Sequence, residues 1–155
     1  MINASAAYGC GVAAIDVEPD STKCSPLLRE LLSGFARIEY FPEAQMDVAC
    51  AAGGNGLAFC YYFVTALSDG GFKMGLPKKV AVKMAAKVLH SATSALLESD
   101  KHLTELRDSV TSPKGPAIYG IHVLDKKDCA SGIASAVEGA YKRVKEMADK
   151  APQGN

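Results

Sequence analysis

The chain has 155 residues, 48% of them apolar, so it can bury a core, and its composition argues against a disordered polypeptide. Its 17 basic and 17 acidic residues balance and form no long run of one sign, which gives no support for a nucleic-acid partner or a polybasic membrane anchor. The cysteines are odd in number and lack C-x-x-C spacing, which argues against a disulfide framework and favours a reducing compartment: Cys10, Cys24, Cys50, Cys60 and Cys129.

The first residues, MINASAAYGC, have neither the basic start and apolar run of a signal peptide nor the arginines of a transit peptide. They resemble the interior of a folded element, so a missing upstream portion is expected. Residues 9–14, GCGVAA, match the G-x-G-x-x-A dinucleotide fingerprint. That fingerprint must open a helix, whereas strand-like residues follow here, so we expect no nicotinamide site in this segment or elsewhere.

The residues up to 42 predict a strand, a helix and a second strand. GVAAIDV (11–17) is typical of a short strand, and ARIEYF alternates polar and apolar residues as a strand does. Between them, SPLLRELLSGF (25–35) predicts a helix with Ser25 as N-cap, Pro26 at the first helical position and Gly34 at its end. This part is therefore expected to be an α/β fragment.

From Met46 onward the pattern predicts helices only. They cover 46–69, 77–99, HLTELRDSV, PAIYGIHVLDKK and 129–150. The last helix is expected to turn one apolar stripe inward and to keep Lys142, Arg143 and Lys145 in solvent; the stripe is Ile133, Ala136, Val137, Ala140, Val144 and Met147. The tail after Pro152 is expected to be frayed.

Residues 48–67, VACAAGGNGLAFCYYFVTAL, lack any formal charge over a length that can cross a bilayer. Asn55 and the central glycines weaken that alternative, because a polar amide in lipid needs a partner. A helix that is apolar nearly all round is also typical of one buried between subunits, and its small residues allow another backbone to approach. We therefore expect association between subunits and no membrane span.

The sequence contains no recognisable set of catalytic or metal-binding side chains. His90, His102 and His122, with Cys129, form no recognised metal-ligand spacing, and no Ser-His-Asp or Cys-His order can be argued. No metal site and no intact catalytic residue are therefore predicted.

Three longer motifs carry a family resemblance. TALSDGGFKMGLPKKVAVKMAAKVLHSATSALLES, LRDSVTSPKGPAIYGIHVLD and AVEGAYKRVKEM closely resemble the C-terminal dimerisation domain of pyrroline-5-carboxylate reductase, and DGGFKMGLP and LRDSVTSP lie at the expected separation. The strong resemblance covers residues 42–148. Residues 3–41 resemble the end of that family's N-terminal nucleotide-binding domain, with Asn3 near the place of its Asn-Thr-Pro motif.

The resemblance implies a mainly helical domain whose long helices interlock with those of a second subunit, with larger rings of dimers in some members. The family's enzymes reduce the cyclic imine pyrroline-5-carboxylate with NADPH or NADH, the last step of proline synthesis. They hold the cofactor on an N-terminal Rossmann domain, and a Ser-Pro-Gly-Gly-x-Thr loop supplied across the dimer holds the substrate. Because that Rossmann domain is almost wholly absent from this sequence, no cofactor is expected in this chain.

The substrate loop of this chain departs from the family's loop at its donors. Thr111, Ser112, Pro113 and Gly115 match, but Lys114 replaces the first glycine, Pro116 takes the variable position and Ala117 stands where the threonine belongs. Pro116 has no backbone N–H and Ala117 has no hydroxyl. Each lost hydrogen bond to a charged group costs about 1.5–3 kcal/mol, so binding should fall on the order of a hundredfold. Lys114 offers a point charge in partial compensation; alternatively, Gly115 and Pro116 simply begin a helix.

A second segment departs in the same direction. The family's Ser-Gly-Ser-Gly-Pro-Ala-Tyr appears here as GGNGLAF (53–59), which keeps small residues for close helix packing and loses hydroxyl groups. The predicted dimer-interface residues follow from this segment and the apolar helix around it: Ala52, Gly53, Gly54, Gly56, Ala58, Phe59 and Phe63.

These observations predict an α/β remnant of a Rossmann domain at 1–42, a helical dimerisation domain at 43–150 and a disordered tail at 151–155. Two functions remain open. One is a fragment or truncated member of a proline-synthesis oxidoreductase, which binds a small cyclic carboxylate at best weakly. The other is a non-catalytic assembly module that forms homodimers or larger homo-oligomers, or pairs with a full-length relative or another complex. Family members occur in the cytoplasm and in mitochondria.

Overall fold

The computed structural model describes residues 1–16 and 25–150. The predicted end of the first strand at Val17, the cysteine at position 24 and the predicted tail at 151–155 lie outside these residues. The chain forms two compact units, Met1–Phe59 with Ile133–Asn155, and Cys60–Gly132. The boundary falls inside a helix, so the predicted domain division at residue 42 stays a prediction.

The N-terminal part of the first unit is a strand, helix and strand, as predicted. Strand β1 (Gly11–Ile15) pairs in parallel with β2 (Ala36–Tyr40), with Gly11 opposite Ala36, and helix α1 (Pro26–Ser33) connects them. Small side chains at Ala13, Ala14 and Ala36 form its buried core. Because GCGVAA runs into β1 and opens no helix, this segment does not take the geometry of the dinucleotide fingerprint.

The start of α1 follows the predicted capping arrangement only in part. Ser25 does precede α1 with Pro26 as the first helical residue, but the Ser25 side chain makes no capping hydrogen bond. The residues before β1 are also ordered: a 3₁₀ helix spans Ala4–Tyr8, and Ile2 pairs antiparallel with Ala13. The edge of β1 away from β2 is therefore occupied by the chain itself.

The first long helical run begins with a 3₁₀ turn (Glu43–Gln45) and α2 (Met46–Ala49), continues as a π-helical segment (Cys50–Gly54) and then becomes α3 (Gly56–Lys73). The single α-helix predicted over 46–69 is therefore corrected in two respects, since a π segment interrupts it and it ends later. In that segment the N–H of Asn55 bonds to the carbonyl of Cys50 at 3.0 Å, the i to i+5 spacing that defines a π-helix. Side chains are smallest here, and a Cβ added to Gly53 would lie 3.4 Å from Met1 Cε.

The last helix, α7 (Cys129–Lys150), begins and ends where the sequence predicts. Its predicted apolar stripe is half-buried, apart from Met147, which is 59% exposed because it lies in the last turn. The three basic residues predicted to face solvent are exposed. One of them, Lys145, places its Nζ 3.6 Å from Asp47 Oδ2 of α2, within the first unit.

The second unit contains most of α3 together with α4 (Lys78–Leu97), α5 (Leu103–Ser109) and α6 (Pro116–Lys126). Helices α3 and α4 meet through small residues, because a Cβ added to Gly71 would lie 3.5 Å from Ala81 Cβ. Lys78 and Asp69 form an ion pair across the same corner. The core here consists of Ser68, Ala81 and Ala85, none of them large.

Helix α4 presents three different faces at 100° per residue. Ala81 and Ala85 lie on its buried face. A second face, called the α4 seam below, consists of Val80, Met84 and Val88, which are 44%, 51% and 57% exposed. The third face is polar and exposed, with Lys79, Lys83, Lys87 and His90.

Large apolar side chains are exposed along both long helical runs. The runs Glu43–Lys73 and Lys78–Leu97 are long and apolar enough to cross a membrane by length and composition, and 11% of each apolar window is buried. An apolar helix that its own chain leaves uncovered needs lipid or another protein surface to exclude water.

Candidate functional site

The candidate site is the loop of residues 111–117, which α5 holds from one side. His102 is the N-cap of α5. Its Nδ1 accepts the N–H of Thr104 at 3.3 Å, while its backbone N–H donates to Glu105 Oε2 at 3.2 Å. This reciprocal arrangement is a capping box, which satisfies donors that a helix start leaves free. The sequence did not predict it, because histidine is not among the usual N-cap residues.

At its other end α5 fixes the start of the loop. Thr111 donates its hydroxyl to the carbonyl of Arg107 at 2.7 Å and its backbone N–H to the carbonyl of Asp108 at 3.0 Å. The Thr111 hydroxyl is therefore engaged with the helix end. This hydrogen bond fixes the start of the loop to the end of α5.

The centre of the loop is a tight turn from Ser112 to Gly115. The N–H of Gly115 donates to the carbonyl of Ser112 at 3.0 Å, Pro113 takes the second position, and Lys114 has a φ of 61°. Proline followed by a residue with positive φ is typical of a type II turn, in which glycine is the usual third residue. A non-glycine residue in this conformation costs about 1–2 kcal/mol, so Lys114 occupies a position that suits glycine better.

The loop ends at the start of α6. Gly115 is the N-cap and Pro116 is the first helical residue, as predicted, so Ala117 lies in the first turn. A Cβ on Gly115 would lie 3.1 Å from the carbonyl oxygen of Ser112 and closer still to its hydroxyl oxygen, so a larger residue here would require Ser112 to shift. Amides of the first turn point out of a helix unpaired, but Pro116 has none to offer and Ala117 brings a methyl group. The loop thus has the shape of an anion cradle with fewer donors.

The structure brings the five predicted substrate-loop residues together on this one turn. Ser112, Lys114 and Ala117 are exposed, and Thr111 and Gly115 are half-buried. Of the predicted interface residues, Ala52 and Ala58 are exposed, while Gly53, Gly54, Gly56, Phe59 and Phe63 are half-buried. Gly53 and Gly54 lie against Met1 of the same chain.

Metal-ligating side chains do not cluster in the described ranges 1–16 and 25–150, where no group of three or more His, Cys, Asp or Glu could hold an ion. The Lys142 ammonium, 2.6 Å from Glu138 Oε1, lowers the pKa of Glu138 by its hydrogen bond and then by its charge. This pair lies exposed on α7 and takes no part in the loop.

Asn3 is a structural residue whose contacts the sequence did not reveal. Its Oδ1 accepts the N–H of Val12 at 3.0 Å, and its Nδ2 donates to the carbonyl of Gly53 at 3.2 Å. The side chain therefore links β1 to the π segment, which we call the Asn3 clamp. A contact across fifty residues of sequence leaves no periodic signal, although the resemblance of this position to an Asn-Thr-Pro motif pointed to Asn3.

A known protein family matches the part of the chain that contains these helices and the loop. The family described as "Pyrroline-5-carboxylate reductase dimerisation" matches residues 43–147. The chain belongs to this family. The predicted fold class, a helical domain of this type preceded by a short α/β part, is confirmed.

Individual relatives extend the match beyond the family domain. The chain is 40% identical to "Pyrroline-5-carboxylate reductase 3" of Bos taurus over 121 residues, which cover 78% of this chain and 39% of the relative. It is 34% identical to "Pyrroline-5-carboxylate reductase" of Synechocystis sp. over 154 residues, which cover 97% of this chain and 57% of the relative. The chain thus spans about half the length of these curated relatives.

Solved structures of such reductases share the fold. The pyrroline carboxylate reductase of Plasmodium falciparum with NADP bound superposes with a TM-score of 0.87 at 25% identity, over 95% of this chain and 60% of that one. The 1-pyrroline-5-carboxylate reductase of Streptococcus pyogenes gives 0.84 at 25% identity, over 94% and 57% of the two chains. The α/β part and the helices therefore both have counterparts in these structures.

Proposed function

We propose that this chain supplies the dimerisation and substrate-loop part of a pyrroline-5-carboxylate reductase-like protein, and that by itself it does not reduce pyrroline-5-carboxylate. The family's reaction transfers hydride from NADPH or NADH to the cyclic imine. The observation that carries the proposal is the loop of residues 111–117, which keeps the turn but has a proline and an alanine at its donor positions.

The exposed apolar surface supports self-association. The α4 seam and the first turns of α3 expose valine, methionine and tyrosine side chains; Tyr62 is 76% exposed. An exposed apolar stripe of this kind marks an interaction surface, and the family domain is a dimerisation domain. We therefore propose a second copy as the occupant. A homodimer should be soluble without detergent, whereas a membrane span would require it.

The loop supports at most weak binding of a small ring carboxylate. The amide of Ala117 and the ammonium of Lys114 can attract a carboxylate, but Ala117 has no hydroxyl to offer the ring nitrogen where the family's loop has a threonine. Since a lysine ammonium is a point charge on a flexible stem, it attracts an anion without fixing its orientation.

The glycine motif at residues 9–14 does not supply the pyrophosphate loop of a nicotinamide cofactor. A dinucleotide site needs a glycine-rich loop between a strand and the start of a helix, and the segment that matches the motif, GCGVAA, leads into β1 instead. No step of reduction is therefore assigned to residues of this chain. The family's reaction would need a cofactor-binding part from elsewhere.

Isothermal titration with proline tests the loop. We expect weak or undetectable heat at millimolar proline for the native chain, and stronger binding in a P116G/A117T variant, which restores one donor amide and one hydroxyl. A K114A variant in both backgrounds separates the contribution of the ammonium. Tight binding by the native chain, or no gain in P116G/A117T, would contradict the proposed loss of donors.

The second candidate is a non-catalytic assembly module that pairs with a full-length relative. The same two positions favour it, because a partner's cofactor would face a loop without the family's threonine. In a mixture of this chain with an intact reductase, we expect hetero-oligomers whose activity per reductase subunit falls. If P116G/A117T restores activity only in that mixture, the loop serves a neighbour's cofactor; if the two chains stay separate by light scattering, the assembly role fails.

A further inference from the structure

We propose that the α/β part of this chain is a docking surface for a second polypeptide, a cofactor-binding α/β domain that adds a strand beside Ile2 and a helix beside α1. This inference rests on the proposed function, because the family's reaction needs such a domain. It goes beyond that function by naming the surface that receives the domain, which involves neither the loop of residues 111–117 nor the α4 seam.

The parallel sheet of this chain is smaller than an α/β core requires. It has two strands, β1 and β2, and one connecting helix, α1, which packs against β2. Parallel sheets occur almost only with several strands and with helices over both faces, because their strands are buried on both sides. The buried side chains of β1 and β2 are all alanines. A further layer is therefore needed to cover the rest of the apolar surface.

An apolar groove of about 320 Å³ lies beside α1, where a second helix would pack. Ile2 lines it from the strand side, and Leu28 and Leu32 line it from α1. The apolar face of α1 extends beyond the groove, since Leu27, Leu28 and Leu31 are 63%, 47% and 57% exposed. A helix surrounded by solvent carries polar residues on its outer face, so these leucines indicate a protein partner.

The backbone of Ile2 provides an edge to which a strand can be added. The N–H of Asn3 donates to the carbonyl of Val12 at 3.1 Å, and the N–H of Ala14 donates to the carbonyl of Met1 at 2.8 Å. Because hydrogen bonds alternate in direction along an antiparallel strand, the N–H and C=O of Ile2 point away from β1. Neither group has a hydrogen-bond partner within the part of the chain that the structure describes. An extended segment of another chain can pair with such an edge.

A strand beside Ile2 and a helix in the groove together form one βα unit, the building block of nucleotide-binding α/β domains. The chain covers 60% of the Plasmodium falciparum reductase that holds NADP, and the remainder of such a protein is the source of this unit. A second copy of this chain would present the same open edge and the same groove. Its described residues hold no further βα unit to insert there.

Binding to a separately prepared domain tests the proposal with the full chain. The probe is the part of the Synechocystis sp. reductase outside its match with this chain, prepared as a fragment that binds NADPH in a fluorescence titration. That relative suits the test because the match covers 97% of this chain, including α1 and both strands. We expect an equimolar complex by sedimentation and by isothermal titration, with no substrate present.

Two variants test the groove and the edge separately. Leu28→Asp should weaken the complex about 10²-fold, because the carboxylate would be buried unpaired in the groove. Ser33→Asp is the matched control, since it adds the same charge at an exposed position on the polar side of α1 and should leave the Kd unchanged. Ile2→Pro should weaken the complex about 2–10-fold by removing the outward N–H, whereas Ile2→Val keeps that donor. Far-UV circular dichroism should show each variant folded, because both positions are partly exposed.

The proposal is overturned if the NADPH-binding fragment does not bind the native chain, or if Leu28→Asp and Ser33→Asp bind it equally well. It is also overturned if Leu28→Asp weakens self-association of the chain instead, because the groove would then hold a second copy. Since no substrate is present, a loop that binds no carboxylate leaves this result intact, and a negative result here leaves the proposed function standing.

Discussion

The α/β part and the long helices of this molecule are stabilised in opposite ways. Strands β1 and β2 pair through their backbones around alanines that are 1–8% exposed, and the Asn3 clamp adds side-chain hydrogen bonds. Helices α3 and α4 satisfy their own backbones, yet their large apolar side chains stay in solvent. Tyr62 is 76% and Val88 is 57% exposed.

The two regions draw their stability from different sources. A strand cannot satisfy its backbone alone, so β1 and β2 depend on their neighbours in the same chain. A helix can, so α3 and α4 form without burying their apolar faces, and that burial is left for another surface. Substitutions should therefore act on local unfolding in the first region and on association in the second.

The largest expected effect is on association. Met84→Asp would place a carboxylate in the α4 seam, and burying an unpaired charge between two copies costs about 3–5 kcal/mol. We expect the dimer dissociation constant, measured by light scattering and sedimentation, to rise about 10²–10⁴-fold. His90→Asp adds the same charge on the polar face of α4 and should change it little. Equal weakening by both variants would show that the seam is not the interface.

The Asn3 clamp should give the next largest effect. Asn3→Ala leaves the Val12 amide and the Gly53 carbonyl without their side-chain partner, so the free energy of unfolding should fall by about 1–3 kcal/mol. Asn3→Asp keeps the acceptor for the Val12 amide and loses the donor to the Gly53 carbonyl. Its free energy of unfolding should therefore lie between those of the native chain and Asn3→Ala. Urea denaturation at fixed protein concentration measures both. Asn55→Ala, at an exposed asparagine, is the control that should not destabilise.

Lys114→Gly should produce a smaller change, in the opposite direction. Relief of the left-handed conformation gains about 1–2 kcal/mol, and the added freedom of glycine in the unfolded chain removes about half of it. A net stabilisation of about 0.5–1 kcal/mol is expected by thermal or urea unfolding. Lys101→Gly, at a position without positive φ, should instead destabilise slightly. Loss of stability in Lys114→Gly would argue that the lysine makes a contact of its own.

The smallest effect concerns the exposed pair Glu138 and Lys142. Because Lys142 lowers the pKa of Glu138, the pair contributes above the ordinary pKa of a glutamate and its contribution is lost as the pH falls through the lowered value. Lys142→Gln should return the pKa of Glu138 towards its usual range, as followed by side-chain NMR. The unfolding midpoint should stay the same within error, since both groups are exposed to solvent. An unmoved Glu138 titration would rule out Lys142 as the cause.

Sequence reasoning was strongest where a local pattern decides the structure. The bounds of α7 and the start of α6 at Gly115 and Pro116 were predicted, because helical periodicity and capping residues are local signals that need only a few neighbouring residues. The π segment was missed, since glycines 53 and 54 carry no periodic signal. The prediction that Met147 faces inward was wrong, because helical periodicity alone does not show where the packed part of a helix ends.

At the candidate site, the residue types came from the family resemblance and the geometry came from the structure. The sequence showed that Pro116 and Ala117 lack donors, but not that Lys114 takes a positive φ. The His102 cap could not be predicted either, because it depends on which imidazole nitrogen faces an amide. Such features arise from side-chain orientation, which spacing along a chain does not encode.

The π segment has a consequence for how this chain can change over time. A π turn accommodates one extra residue within a single turn, so α3 keeps the facing that it would have in an uninterrupted α-helix one residue shorter. Loss of a single residue from Cys50–Gly54 would therefore restore regular winding and leave the later side chains of α3 on the same faces, whereas loss of a residue inside α3 would turn the side chains that follow by about 100°. Length is therefore constrained more tightly within α3 than in these five positions, and a one-residue deletion should do less harm at Cys50–Gly54 than after Gly56.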